Sequence, residues 1–127
     1  MYQAAKHLYD EKRFKEAVDA FGFLAILNSE QPTFWFGLAN SEFQLQNYQG
    51  ALFAYAFVAR LHPDDFTCHI LSCRCYEALD ELENARNALE LALYVIDDNT
   101  EHKELEQNLK HEIKRLDDAI RQRYLQR

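Results

Sequence analysis

The chain has 127 residues and a mass of 15.0 kDa, with 48% hydrophobic and 28% charged residues, the composition of a soluble globular protein able to bury a core. Three glycines and two prolines are too few for the turns of an all-β fold, and the isolated Gly22, Gly37 and Gly50 form no phosphate-cradling loop. A net charge of −7 and a pI near 5.2 argue against nucleic acid as a partner. The N-terminal MYQAAKHLYDEKRFKEA has no apolar signal-peptide centre, and no apolar stretch reaches the ~20 residues that span a bilayer. A cytoplasmic protein with no stable membrane insertion is expected.

Helical periodicity predicts helices over about 2–12 and 14–28, then a break at Glu30-Gln31-Pro32. The next pair covers about 33–46 and 48–61 and stops at His62-Pro63-Asp64-Asp65. A third pair covers about 67–79 and 82–96. Asp97-Asp98-Asn99-Thr100 then reads as a helix start, with Thr100 as N-cap and Glu101 and Glu104 in the first turn. The last helix, about 100–124, carries an apolar stripe of Leu105, Leu109, Ile113, Leu116 and Ile120.

The three pairs are copies of one pattern. Ala17, Ala51 and Ala85 stand 34 residues apart. The same period carries Phe14, Tyr48 and Leu82; Phe21, Tyr55 and Leu89; Leu24, Val58 and Ala92; Leu27, Leu61 and Val95; and upstream Ala5, Ala39 and Cys73. The small columns let paired helices approach closely, and the large ones fill between them. In the middle unit Trp35, Leu38, Ala39 and Leu45 supply the core-facing side of the first helix.

A 34-residue helix–turn–helix unit of this kind resembles the tetratricopeptide repeat over residues 2–97, most closely through Trp35, Leu38, Tyr48, Ala51, Tyr55 and Pro63. Ser29 and Asp97 replace the usual proline of the other two units. The resemblance implies an all-α fold of three repeats (approximately 1–31, 32–65 and 66–98) in a right-handed superhelix. A capping helix closes it, and the whole chain, 1–127, forms a single domain.

No catalytic constellation is present. His7, His62, His69, His102 and His111 are scattered, and the abundant carboxylates read as solvated helix faces. His69 and Cys73 have the i, i+4 spacing of a helical metal pair, but two ligands do not make a site and Cys73 belongs to a packing column. Cys68, Cys73 and Cys75 read as reduced thiols, since Cys68 and Cys75 lie ~10.5 Å apart along one helix. A protein that is not an enzyme, with neither metal nor cofactor, is expected.

The informative feature is a second stripe on the first helices. Phe36, Asn40 and Phe43 recur as Tyr2, Lys6 and Tyr9 one unit earlier and as Ile70, Arg74 and Glu77 one unit later. First helices line the concave side of such a superhelix, so these positions are expected to face one groove. Its exposed aromatics fit an extended, partly apolar peptide, with Asn40, Lys6 and Arg74 as polar contacts. The Lys/Asn/Arg clamp with which some repeat proteins hold a chaperone C-terminus does not fit, because Tyr2 and Gly37 stand where it needs Lys and Asn.

A narrower resemblance rests on YDEKRFKEAVDAFGFLAILN, FWFGLANSEFQLQNYQGALFAYAFVARL and NTEHKELEQNLKHEIKRL. Here the F-x-x-G-L of Phe34, Gly37 and Leu38 and the T-E-x-K-E-L beginning at Thr100 are similar to class II chaperones of bacterial type III secretion. That resemblance implies a bacterial cytoplasmic chaperone that binds an extended N-terminal segment of hydrophobic translocator proteins and keeps them secretion-competent. Carried over by position, Tyr2, Tyr9, Phe36, Asn40, Phe43 and Ile70 are its groove residues. Family members also carry an N-terminal helical segment used for dimerisation, whereas this sequence starts almost inside its first repeat. Either the sequence is shorter at that end or a homodimer uses another surface. The competing function class is a repeat scaffold joining folded partners.

Overall fold

The computed structural model describes residues 1–96 and 100–126. Its order is α1 (Tyr2–Asp10), α2 (Phe14–Leu27), α3 (Pro32–Gln44), α4 (Tyr48–Leu61), α5 (Thr67–Ala78), α6 (Leu82–Ile96), a 3-10 turn (Thr100–His102) and α7 (Lys103–Leu125), with no strand among the described residues. The expected all-α class and helix order hold. The chain falls into two compact units, Met1–Pro63 with α1–α4 and Asp64–Arg127 with α5–α7.

Helix ends follow local chemistry. Pro32 opens α3 at a position where its missing N–H costs nothing, and the Asn47 side chain accepts the Gly50 N–H at 3.2 Å to cap α4. Each first helix closes on a left-handed residue, Lys12 (φ 64°), Gln46 (φ 62°) and Asp80 (φ 61°). In each case the next N–H reaches back to the carbonyl five residues earlier: Arg13 to Leu8 (2.9 Å), Asn47 to Glu42 (2.9 Å) and Glu81 to Tyr76 (2.8 Å). Those same three residues then accept the N–H groups of Ala17, Ala51 and Ala85 at 2.9 to 3.0 Å, which starts the second helix. The backbone therefore repeats faithfully even where the side chains do not.

In the first unit Ala5, Ala17, Phe21 and Leu24 form a core against which Tyr2, Leu8, Tyr9, Phe34 and Leu38 pack. Ala39, Ala51, Ala54, Tyr55 and Val58 are buried in α3 and α4. In the second unit Cys73, Ala85, Leu89, Ala92 and Ile96 meet Leu109, Ile113 and Leu116, so the stripe of α7 covers α6 as a capping helix must. Arg86–Asp117 (2.5 Å), Arg115–Glu77 (2.5 Å) and Arg123–Asp80 (2.6 Å) tie α7 to its neighbours. Being partly exposed, these pairs orient the helix more than they stabilise it.

Several expectations differ from the structure. Leu45 is the C-cap of α3 and 37% exposed, and Leu27 is 63% exposed, because each lies at a helix end that no neighbouring element covers. Trp35 is only partly buried: it stacks on Phe57 with ring centroids 4.1 Å apart, and its indole N–H donates to the Ser29 carbonyl at 2.8 Å. Asp97, Asp98 and Asn99, at the expected start of the last helix, lie outside the described residues. The α-helix proper begins three residues beyond Thr100, after the 3-10 turn. His102 of that turn packs edge-on against Phe66, with centroids 5.0 Å apart, which holds the turn in place.

Gly22 occupies the interior of α2, and a Cβ built there would meet nothing within 4 Å. Gly22→Ala should therefore stabilise the first unit by about 0.5–1 kcal/mol through helix propensity alone. A urea midpoint that moves down would show that the glycine has a packing role.

Candidate functional site

The α1 and α3 stripes present four half-buried rings, and each ring is braced by an aromatic of the second helix of its own repeat. Tyr2 meets Phe21 (centroids 6.3 Å, interplanar 64°) and Tyr9 meets Phe14 (5.3 Å, 67°). One repeat on, Phe36 meets Tyr55 (5.8 Å, 77°) and Phe43 meets Tyr48 (5.5 Å, 78°). All four contacts are edge-to-face, the favoured arrangement of ring quadrupoles, and all four repeat with the 34-residue period. Tyr2 also leans on Phe34 at 6.0 Å, which links α1 to α3. The rings are thus fixed in orientation before any ligand arrives, and each keeps surface open to solvent.

Between each pair of rings lies one polar residue. Lys6 is exposed. Asn40 is half-buried, and its Oδ1 accepts the Tyr55 hydroxyl at 2.5 Å. Tyr55 itself is 1% exposed and was legible only as a packing residue, although it braces two neighbouring stripe positions at once.

The third-repeat counterparts stand on α5 of the second unit and differ in kind. Ile70 is half-buried against the core of that unit, and Arg74 is exposed. Glu77, at the position of Tyr9 and Phe43, is held by Arg115 of α7. The aromatic bracing thus ends with the second repeat; in the third, Leu82 and Leu89 of α6 take the places of the rings of α2 and α4.

The cysteines are free and buried. Burial pushes their thiols up, Cys68 to about 11, Cys73 to about 12 and Cys75 to about 11, so none is a thiolate nucleophile at neutral pH. Burial is also what holds the His69 imidazole below its usual value, against the opposite pull of Asp65. Among the described residues no three His, Cys, Asp or Glu side chains converge as a metal site. Thiol reagents at pH 8 should react slowly with the native chain and rapidly after denaturation. The folded state prefers the protonated thiols, so their contribution to stability is complete below about pH 9, the unfolded thiol range, and is lost as pH rises through 11 to 12. Cys73→Ala should flatten that alkaline loss in urea titrations, and an unchanged slope would remove the thiol from the account.

Two tetratricopeptide-repeat family models match the sequence, one over residues 42–109 and one over residues 2–31. No curated protein sequence matches it significantly. Among solved structures, a chain of the CopN–Scc3 complex is 29% identical with a TM-score of 0.82, over 87% of this chain. This chain spans only 65% of the length of that one. The Yersinia enterocolitica type III secretion chaperone SycD, in complex with a peptide of the translocator YopD, is 22% identical with a TM-score of 0.83, covering 93% of this chain and 90% of its own. PcrH in complex with the chaperone-binding region of PopD is 18% identical with a TM-score of 0.83, covering 93% and 89%. At 22% and 18% identity the likeness is one of fold.

Proposed function

The chain belongs to the tetratricopeptide-repeat family, and from that premise we propose that it is a cytoplasmic chaperone of bacterial type III secretion translocators. It is a binding protein and not an enzyme. Its client is an extended N-terminal segment of a hydrophobic translocator, laid along the first helices and held there until secretion. The observation that carries this reading is the set of four braced, half-exposed rings, Tyr2, Tyr9, Phe36 and Phe43. Rigid rings lose little entropy on binding, so apolar client side chains seated on them gain burial at about 25 cal/mol per Å² with little ordering cost. On the third repeat Ile70 stands at the position of Tyr2 and Phe36, and Arg74 at that of Lys6 and Asn40. The structures of SycD with a peptide of the translocator YopD and of PcrH with the chaperone-binding region of PopD support the choice of ligand. Among the described residues no helix is long and apolar enough to cross a membrane.

A second reading, a scaffold for folded partners, is favoured by one feature of the first unit. Phe53 is 64% exposed beside Phe57, which stacks on Trp35 and lies under Arg60. Co-expression separates the two. With the chaperone, a translocator from the source cell should move from inclusion bodies to the soluble fraction, and this rescue should vanish in the Phe36→Ala/Phe43→Ala variant. A translocator that stays insoluble beside the wild-type chain would overturn the chaperone reading.

A further inference from the structure

We infer that Tyr55 is a positioning residue that orients the Asn40 amide by holding its Oδ1, so that the Nδ2 donor of the middle repeat meets a backbone carbonyl of an extended peptide. This rests on the peptide-binding reading above. A side-chain amide presents both a carbonyl and an NH2, and which of them faces a ligand is undetermined until something occupies the other. Here the buried Tyr55 hydroxyl donates to Asn40 Oδ1 at 2.5 Å, which fills one lone pair of that oxygen, anchors it toward α4 and leaves Nδ2 as the group that donates to a ligand. The same tyrosine ring packs edge-on against Phe36, at 5.8 Å. One side chain from α4 therefore fixes both an apolar post and the polarity of the amide beside it.

The repeats themselves supply the control. The stripe position of Asn40 is Lys6 in the first repeat and Arg74 in the third, while that of Tyr55 is Phe21 and Leu89. Lysine and arginine offer donors however they turn, and their repeats place a hydrocarbon at the second position. Only where the stripe residue has an ambiguous amide does that position of the second helix carry a hydroxyl. All three repeats thus carry a donor at this position. The complementary groups on a peptide are acceptors: main-chain carbonyls, whose placement fixes register while apolar side chains meet the rings.

The test is a double-mutant cycle on binders selected from a displayed library of random peptides of roughly ten residues. Affinities would be read by fluorescence anisotropy on the folded full chain. Tyr55→Phe keeps the ring and the contact with Phe36 but frees the amide, and Asn40→Ala removes the amide. Each should weaken binding about fivefold, the worth of one hydrogen bond, and the double variant should be no weaker than Asn40→Ala alone. A merely structural tyrosine would give additive losses, and that result, or a Tyr55→Phe chain that binds like wild type, overturns the inference while leaving the groove intact. If no selected peptide depends on Phe36, the groove itself fails, and this inference falls with it.

Discussion

Gly37→Ala should destabilise the first unit by about 2–3 kcal/mol, the upper part of the range for overpacking a closed core. A Cβ at Gly37 would lie less than 3.0 Å from Cδ1, Cε1 and Cζ of Phe21. Neither partner can yield cheaply. Phe21 is 4% exposed and carries the Tyr2 ring on its edge, while the Ser41 hydroxyl bonds the Gly37 carbonyl at 2.8 Å within α3. The Phe21 ring of α2 therefore lies directly against the α3 backbone at Gly37, and any shift of Phe21 also displaces a ring of the candidate site. Urea unfolding should show a lower midpoint with an unchanged slope, and peptide affinity should fall with it. The other glycines set the scale. At Gly50 a Cβ would press on the carboxylate of Glu42 and the capping side chain of Asn47, both at least partly exposed rather than part of a closed core, and at Gly22 it would meet nothing within 4 Å. A Gly37→Ala midpoint equal to wild type would show that α2 and α3 part more easily than the close approach implies.

The repeat was legible because its columns are small or large residues at strict spacing, and spacing alone determines which residues of paired helices meet. The turns were not. Lys12, Gln46 and Asp80 are ordinary residues held in the left-handed region, and none is the glycine that would mark such a place in a sequence. Leu27 and Leu45 were misplaced because helical periodicity reports a face and says nothing about whether a neighbour covers it. Of the site, the aromatic stripe was readable as an excess of rings on a face the core does not need. Its bracing was not, since Tyr9–Phe14 is a contact across a turn and Phe36–Tyr55 joins residues on different helices. The Asn40–Tyr55 bond and the Glu77–Arg115 pair were beyond reach for the same reason: side chains 15 and 38 residues apart meet only through tertiary packing.

Phe36→Ala and Phe43→Ala should each weaken client binding at least tenfold, and together they should abolish it at micromolar concentrations. A ring at the centre of an interface, seated in a desolvated pocket, is commonly worth ~2 kcal/mol or more, and every 1.4 kcal/mol is tenfold in affinity. Phe36 and Phe43 meet those conditions better than their neighbours. Each is half-buried within α3, away from the chain end, with its orientation set by a tyrosine of α4 at 77° and 78°. Tyr2 is the first residue of α1, at a helix end where fraying erodes preorganisation, so its truncation should cost less. Neither phenylalanine belongs to the buried set, and both α3 and α4 keep Ala39, Ala51, Ala54 and Val58 in their interior. Circular dichroism should accordingly show intact helices in both variants, which separates lost contact from lost fold. Phe43→Leu refines the point: it retains apolar volume but not the flat face, so an intermediate affinity would assign the difference to ring geometry. Lys15 and Glu83 are exposed on second helices, off the stripe, and their alanine variants should bind as wild type. Full affinity by calorimetry in the double phenylalanine variant, or client cross-links concentrated near Lys15 and Glu83, would move the binding surface away from the first helices altogether.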